Sequence, residues 1–245
     1  PMTLLPSLDQ SQLSKVVQRN AVQVSGNSDS PTMSLSPSEK VWLGVFTCND
    51  DPSLDRRTGA LSYVANVGFM SGELYRGDPK GLHRLGGLSW NDNSELDEEV
   101  DIQVAAATGV FWRNSDRFQT TFDYIGAGDG LSTTLMLTEN LQAGNWYDTD
   151  TARIGFGIPI DHRNGRVPFG PGKDFESPNR PLNGEFEGGT LFEKAPRVWA
   201  INCNPTAQRG TSPRPRSVHK GGVNVIMCDG SGKFLSENID SCVYL

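Results

Sequence analysis

Apolar and polar positions alternate over Leu61, Tyr63, Ala65, Val67 and Phe69. A period of two over that length predicts a strand with these residues on one face. A second such stretch lies near the C terminus, where Val223, Val225 and Met227 fall on one face and Asn224, Ile226 and Cys228 on the other. Asp229-Gly230-Ser231-Gly232 then supplies residues that tolerate positive φ, and Lys233 to Ser236 is the return strand of a β-hairpin. Near the N terminus the period lengthens. Ser7-Leu8-Asp9-Gln10 has the form of a capping box, and Leu8, Leu13, Val16 and Val17 make one apolar stripe on a helix of about twelve residues ending near Asn20.

Shorter apolar runs lie at Val41 to Cys48, Gly109 to Arg113 and Val198 to Cys203, the last two read as strands. Between them the chain is polar and broken by glycine and proline. Residues 25–38 are a loop, Gly126 to Gly130 a flexible turn, and Arg209 to Arg216 an exposed loop. Two long excursions, about 70–104 and 147–196, lack periodicity; the second is punctuated by Pro159, Pro168, Pro171, Pro178 and Pro181. The expected architecture is one α+β domain over 1–245, mainly antiparallel sheet with one N-terminal helix, long loops and a C-terminal hairpin. The 27 glycines and 15 prolines favour such a β-rich, loop-rich fold over a helical bundle.

Several stretches also resemble a known family. His219, nine residues on from which stands Asp229-Gly230, encloses Gly221-Gly222-Val223-Asn224-Val225 and is followed by Ser236-Glu237-Asn238-Ile239-Asp240. This is similar to the C-terminal prepilin-processing-associated motif of a planctomycete-type, prepilin-like family of unknown function. Asp129-Gly130 with Ser132 and Thr134, an apolar strand, Glu139-Asn140 and Gly144-Asn145-Trp146 resemble a second segment of that family. Ser62-Tyr63 with Ala65-Asn66, and the apolar run ending in Cys48 before an acidic, proline-containing turn, resemble two more. Members begin with a pilin-like leader and hydrophobic helix, and a similar Leu-Leu-Pro comes well after that helix. The resemblance therefore implies a head domain whose N-terminal anchor is missing. It also implies an extracytoplasmic, periplasmic or cell-surface location, with other pilin-like subunits or secretion machinery as partners and membrane contact only through the missing helix.

A net charge of −7, from 22 Lys and Arg against 29 Asp and Glu, disfavours nucleic acid as a partner, because neutralising phosphates requires a positive field. The cysteines Cys48, Cys203, Cys228 and Cys242 have no Cys-x-x-Cys spacing. The preferred pairing is Cys48 with Cys203 and Cys228 with Cys242, the latter two flanking one hairpin; free buried thiols stand equally open. In the acidic cluster around Asp92, Asp97 and Glu98 the density of oxygen ligands suits calcium, although the order does not match an EF-hand loop. No other cofactor is expected.

No catalytic residue is assigned. Gly-x-Ser-x-Gly and His-Glu-x-x-His are absent, and His83, His162 and His219 are the only imidazoles. An extended strand rises about 3.3 Å per residue, which separates His219 from Asp229 and assigns the Asp-Gly to the turn and the His to anchoring the strand entry. Glu139 with Asp148 is a candidate carboxylate pair of the kind glycoside hydrolysis uses, and Ser217 the only hydroxyl beside a histidine. A glycan-binding alternative rests on Trp90, Trp112, Trp146 and Trp199, with Glu139, Asn140, Asn145 and Trp146 as candidate ligand-binding residues. The leading expectation remains a non-catalytic, structural or display domain.

Overall fold

The computed structural model describes residues 2–21, 40–52, 54, 59–71, 109–111, 120–148, 151–160, 185–186, 189–190, 201–202, 209–210 and 213–239. Asp92, Asp97, Glu98, Cys203 and Cys242, and most of both long excursions, lie outside them.

A sheet of five strands in the order β3-β1-β2-β6-β7 carries the fold. Its members are β1 (Tyr63–Ser71), β2 (Leu135–Glu139), β3 (Gly155–Ile160), β6 (Gly222–Met227) and β7 (Gly232–Ser236). Two short strands, β4 (Glu185–Phe186) and β5 (Gly189–Thr190), pair separately. The class is α+β as expected, but the sheet is mixed, because β3 runs parallel to β1 while the other pairings are antiparallel. Chain path explains this. β2 ends at Glu139 opposite the start of β1, and β6 already occupies its other edge. Residues 140–148 carry the chain away from the end of β2, and after the helix α3 (Thr151–Ile154) β3 lies along the free edge of β1, in the direction of β1.

The terminal hairpin forms as the alternation predicts. Val223, Val225 and Met227 are buried, Asn224 is exposed, and β6 pairs with β7 from Gly222 opposite Ser236 to Ile226 opposite Gly232. Gly230 takes φ +83° in the connecting turn, a conformation a side chain resists. In β1 the period is right but the face is reversed. Val64 is the buried residue and Tyr63 lies on the outer face, because Ser62 bends the chain between buried Leu61 and the strand.

The N-terminal helix α1 spans Ser11–Ala21, starting later than the capping box at Ser7 predicts. Residues 2–8 instead wind into a 3-10 turn that buries Leu5, and Asp9 at φ +58° breaks the chain before the helix starts. Gln10 closes the join, its N–H donating to Leu5 O and its carbonyl accepting from Ser14 N. A helix not expected from the pattern, α2 (Phe122–Ala127), takes in Gly126 and is capped by Thr121, whose hydroxyl accepts from Tyr124 N at 3.1 Å. Residues 109–111 make no strand; Val110 and Phe111 both donate to Asn66 O. Ile201 and Asn202 form a turn, where the sequence suggests a strand.

The Arg209-to-Arg216 run is packed rather than exposed where it is described. Pro213, Arg214 and Pro215 are buried, and Arg209 donates to Leu141 O at 2.9 Å and Leu61 O at 2.7 Å. Its guanidinium lies 3.9 Å from the buried Asp51 carboxylate, which also accepts from Ser62 Oγ at 2.8 Å. A fork of five donors can serve carbonyls that have lost their ladder partners, so proline and arginine here close a seam.

Two apolar clusters back the sheet. Leu5, Val17, Leu43, Leu61, Val64 and Phe156 gather round Trp146, while Ile201, Val223, Val225 and Met227 form the second, and Leu135 packs against both. Trp146 is 0% exposed and its indole N–H donates to Val41 O at 2.7 Å. In urea unfolding, Trp146→Ala is expected to cost about 3–5 kcal/mol as a large-to-small core change. Trp42→Ala, at a residue 36% exposed, is expected to cost about 1 kcal/mol or less; equal costs would refute this placement of the core.

Candidate functional site

The site follows from sheet register. Tyr63 on β1 stands opposite Glu139 on β2, and Thr138 opposite Val225 on β6 places Asn224 beside Glu139 on the outer face. Tyr63, Glu139 and Asn224 thus form a row across three adjacent strands. Glu139 is only 2% exposed, and its two oxygens have different partners. Oε2 accepts from Asn224 N at 2.8 Å, while Oε1 lies 3.3 Å from Asn224 Nδ2 and 3.0 Å from His219 Nε2.

His219 reaches the row from the turn before β6. Ser217 Oγ donates to Gly222 O at 2.7 Å and accepts from His219 N at 3.0 Å, so a serine turn fixes the imidazole's approach. Gly221 takes φ +87°, and a Cβ on Gly222 would collide with the Leu235 carbonyl. Asn202 locks the same turn, accepting from Ser217 N at 2.9 Å and donating to Gly222 O at 3.3 Å and Glu237 Oε2 at 3.0 Å.

Cys48 enters from the opposite side. It follows the 3-10 turn Gly44–Phe46 and begins a second turn, in which Asp51 N donates to its carbonyl at 3.2 Å. Cys48 Sγ, a Glu139 oxygen and a His219 ring nitrogen all lie within 4.8 Å of one another. Burial pushes the thiol pKa up, and the negative charges of Glu139 and Asp50 add to the rise, against a lowering hydrogen bond from the Asp50 backbone N–H. The Tyr63 phenol is pushed up to about 12, first by burial and then by Cys48 and Glu139, and it hydrogen bonds with the thiol.

The structure therefore brings together His219, Asn224, Glu139 and Cys48, with Gly221 and Gly222 shaping the approach. Asp229 and Gly230 lie beyond the far end of β6, where the Asp229 carboxylate accepts from Ser231 N at 2.8 Å and holds the turn. Ser217 serves the His219 backbone. Asp148 belongs to a separate network with Asn145 N at 2.7 Å and Arg153 at 3.3 Å. Asn140 is fully buried in the turn after β2, its side-chain oxygen accepting from Gln142 N. Trp146, likewise enclosed, offers no face to a sugar ring. Cys48 and Cys228 are free thiols, the alternative that stood open beside the preferred pairing, whose other members Cys203 and Cys242 lie outside the described residues. Tyr63 and Asp50 escaped the sequence reading. Tyr63 was visible as a strand residue and Asp50 as part of an acidic turn, each within a segment that resembles the family, but neither as part of a site.

What the fold and site define is an α+β domain on a mixed five-stranded sheet, with a buried carboxylate joining three separate parts of the chain. It belongs to the family described as "Protein of unknown function (DUF1559)", whose model matches residues 1–241. Neither the curated proteins nor the solved structures contain a significant match. Among the described residues no helix is long and apolar enough to cross a membrane.

Two outcomes are expected. Glu139→Ala should cost about 2–4 kcal/mol by leaving the Asn224 N–H and the imidazole without their acceptor, whereas Glu139→Gln, which keeps an oxygen there, should cost less. A folded tyrosine pKa of about 12 against an ordinary value of 10.0 means that the folded state holds its proton longer. That contribution is complete below pH 10, and it is lost as pH rises through about 12. Tyr63→Phe should flatten this part of the alkaline stability profile; an unchanged slope would contradict the assignment.

Proposed function

We propose that the chain is a non-catalytic, extracytoplasmic head domain of a prepilin- or pseudopilin-like protein, with a structural or display role in a pilus-like or secretion-related assembly. One observation carries the reading. The residues in which the family likeness is densest, His219, Asn224 and Glu139, are spent on one another and on main-chain groups. Oε2 of Glu139 takes the β6 backbone, Ser217 and Gly222 fix the turn, and the imidazole closes against the carboxylate. Groups used in this way make a fold's joint. An organic substrate would have to break these contacts without replacing the joint they make.

Cysteine catalysis is disfavoured by the surroundings of the thiol. Cys48 lies within 4.8 Å of an imidazole nitrogen, but burial and neighbouring carboxylates push its thiol pKa up, which works against the thiolate a nucleophilic cysteine needs. The partners implied are other pilin-like subunits or secretion machinery. Protease added to spheroplasts of a native host is expected to digest the domain, and cross-linking to recover it with pilin-like subunits. Protection from protease, with recovery in the cytosolic fraction, would sink the proposal.

A further inference from the structure

We propose that Cys48, Glu139 and His219 form a binding site for a divalent transition-metal ion of the zinc class, each giving one ligand atom, with a fourth position left for water or an exogenous donor. The inference is independent of where the domain is displayed. Thiolate, carboxylate and imidazole are the donor set of a borderline-soft cation. Calcium and magnesium, which call for oxygen ligands, are selected against. Zinc bonds of about 2.0 Å to nitrogen and oxygen and 2.3 Å to sulfur, at tetrahedral angles, put ligand atoms roughly 3.3–3.6 Å apart. The three atoms here lie within 4.8 Å of one another, with the imidazole nitrogen and carboxylate oxygen at 3.0 Å. Moving them apart or together by a few tenths of an ångström to 1 Å or so would complete the coordination.

The surroundings orient these atoms as an outer shell does. The Asn224 N–H occupies Glu139 Oε2, and Oε1 is the oxygen that meets the imidazole, with Asn224 Nδ2 at 3.3 Å. The Asp50 backbone N–H is aimed at the Cys48 sulfur, and its side chain adds negative charge nearby. The serine turn at 217–222 sets the imidazole, whose side chain is 28% exposed and gives an ion a way in. Binding breaks the Cys48 S–H bond and forms a metal–sulfur bond, the proton leaving to solvent, while the neutral imidazole shifts its proton from Nε2 to Nδ1 so that the Nε2 lone pair meets the ion. Thiolate and carboxylate then balance the charge of the dication, and no electron is transferred.

The test uses the full chain, freed of metal with a chelator and titrated with Co²⁺. A thiolate-to-cobalt charge-transfer band should grow, saturate at one equivalent and be displaced by Zn²⁺. Cys48→Ser should abolish it and His219→Gln should weaken binding at least tenfold, with folding of each checked by circular dichroism. A variant in which Cys203, Cys228 and Cys242 are all serine should keep the band. Zinc-edge absorption of the wild-type chain, which needs no variant, should show one sulfur near 2.3 Å and the remaining donors as nitrogen or oxygen near 2.0 Å. No cobalt band at a hundredfold excess, a band unchanged in Cys48→Ser, or a zinc shell with no sulfur or with several would overturn the proposal.

Discussion

A carboxylate taken out of water must be met by charge or by hydrogen-bond donors, and Glu139 is that carboxylate. At 2% exposure its desolvation would cost several kcal/mol if it stood alone. Its donors come from the backbone and side chain of Asn224 and from His219. The backbone around it is committed as well, since Arg216 N donates to Glu139 O at 2.8 Å and Asn140 N to Ser62 O at 2.8 Å. One side chain at the end of β2 therefore fixes where β6 begins, and with it the position of the hairpin.

The register of the sheet makes this economical. Because side chains alternate, Tyr63, Glu139 and Asn224 share the outer face only while β1, β2 and β6 keep their alignment; a slip of one residue would send Glu139 into the apolar side beside Val64 and Val225. The opposite face holds the hydrophobic clusters. Burial thus sets the alignment, and the alignment assembles the polar row. Gly221 and Gly222 matter for the same reason. Positive φ at Gly221 and the close approach of Gly222 to Leu235 bring the histidine turn down onto the row.

Elements whose signal is local were legible in the sequence. The hairpin, with its alternation and Asp-Gly turn, and the apolar strand before Glu139-Asn140 formed where the residues suggested. Elements decided by tertiary contact were not. Leu5 buried itself under a 3-10 turn and displaced the helix start from Ser7 to Ser11. Arg209 found carbonyls on two distant segments, so a run that reads as a solvated loop became interior. Val64 took the core in place of Tyr63, because a bend at Ser62 changes the phase of the strand. For the site, His219, Asn224 and Glu139 were picked out one at a time, but nothing in their spacing links residues 80 apart. Cys48 was noticed for its capacity to pair with another cysteine, and its actual neighbours are a carboxylate and a phenol.

That neighbourhood is the part of the structure least explained by folding alone. An S–H group is a weak donor, so a thiol contributes little to satisfying Glu139, which already has better donors in Asn224 and His219. Burial and two nearby acids push its pKa up, so it sits there as a neutral thiol that gives the carboxylate little in return. The physical return on a thiol beside a carboxylate and an imidazole comes when a dication arrives. The repulsion between two anionic ligands then becomes attraction to the ion, and the backbone N–H at Asp50 already supports the charged sulfur. Without an ion the cluster is a hydrogen-bonded joint; with one it would be a coordinated joint, made by the same three segments and without a change of fold.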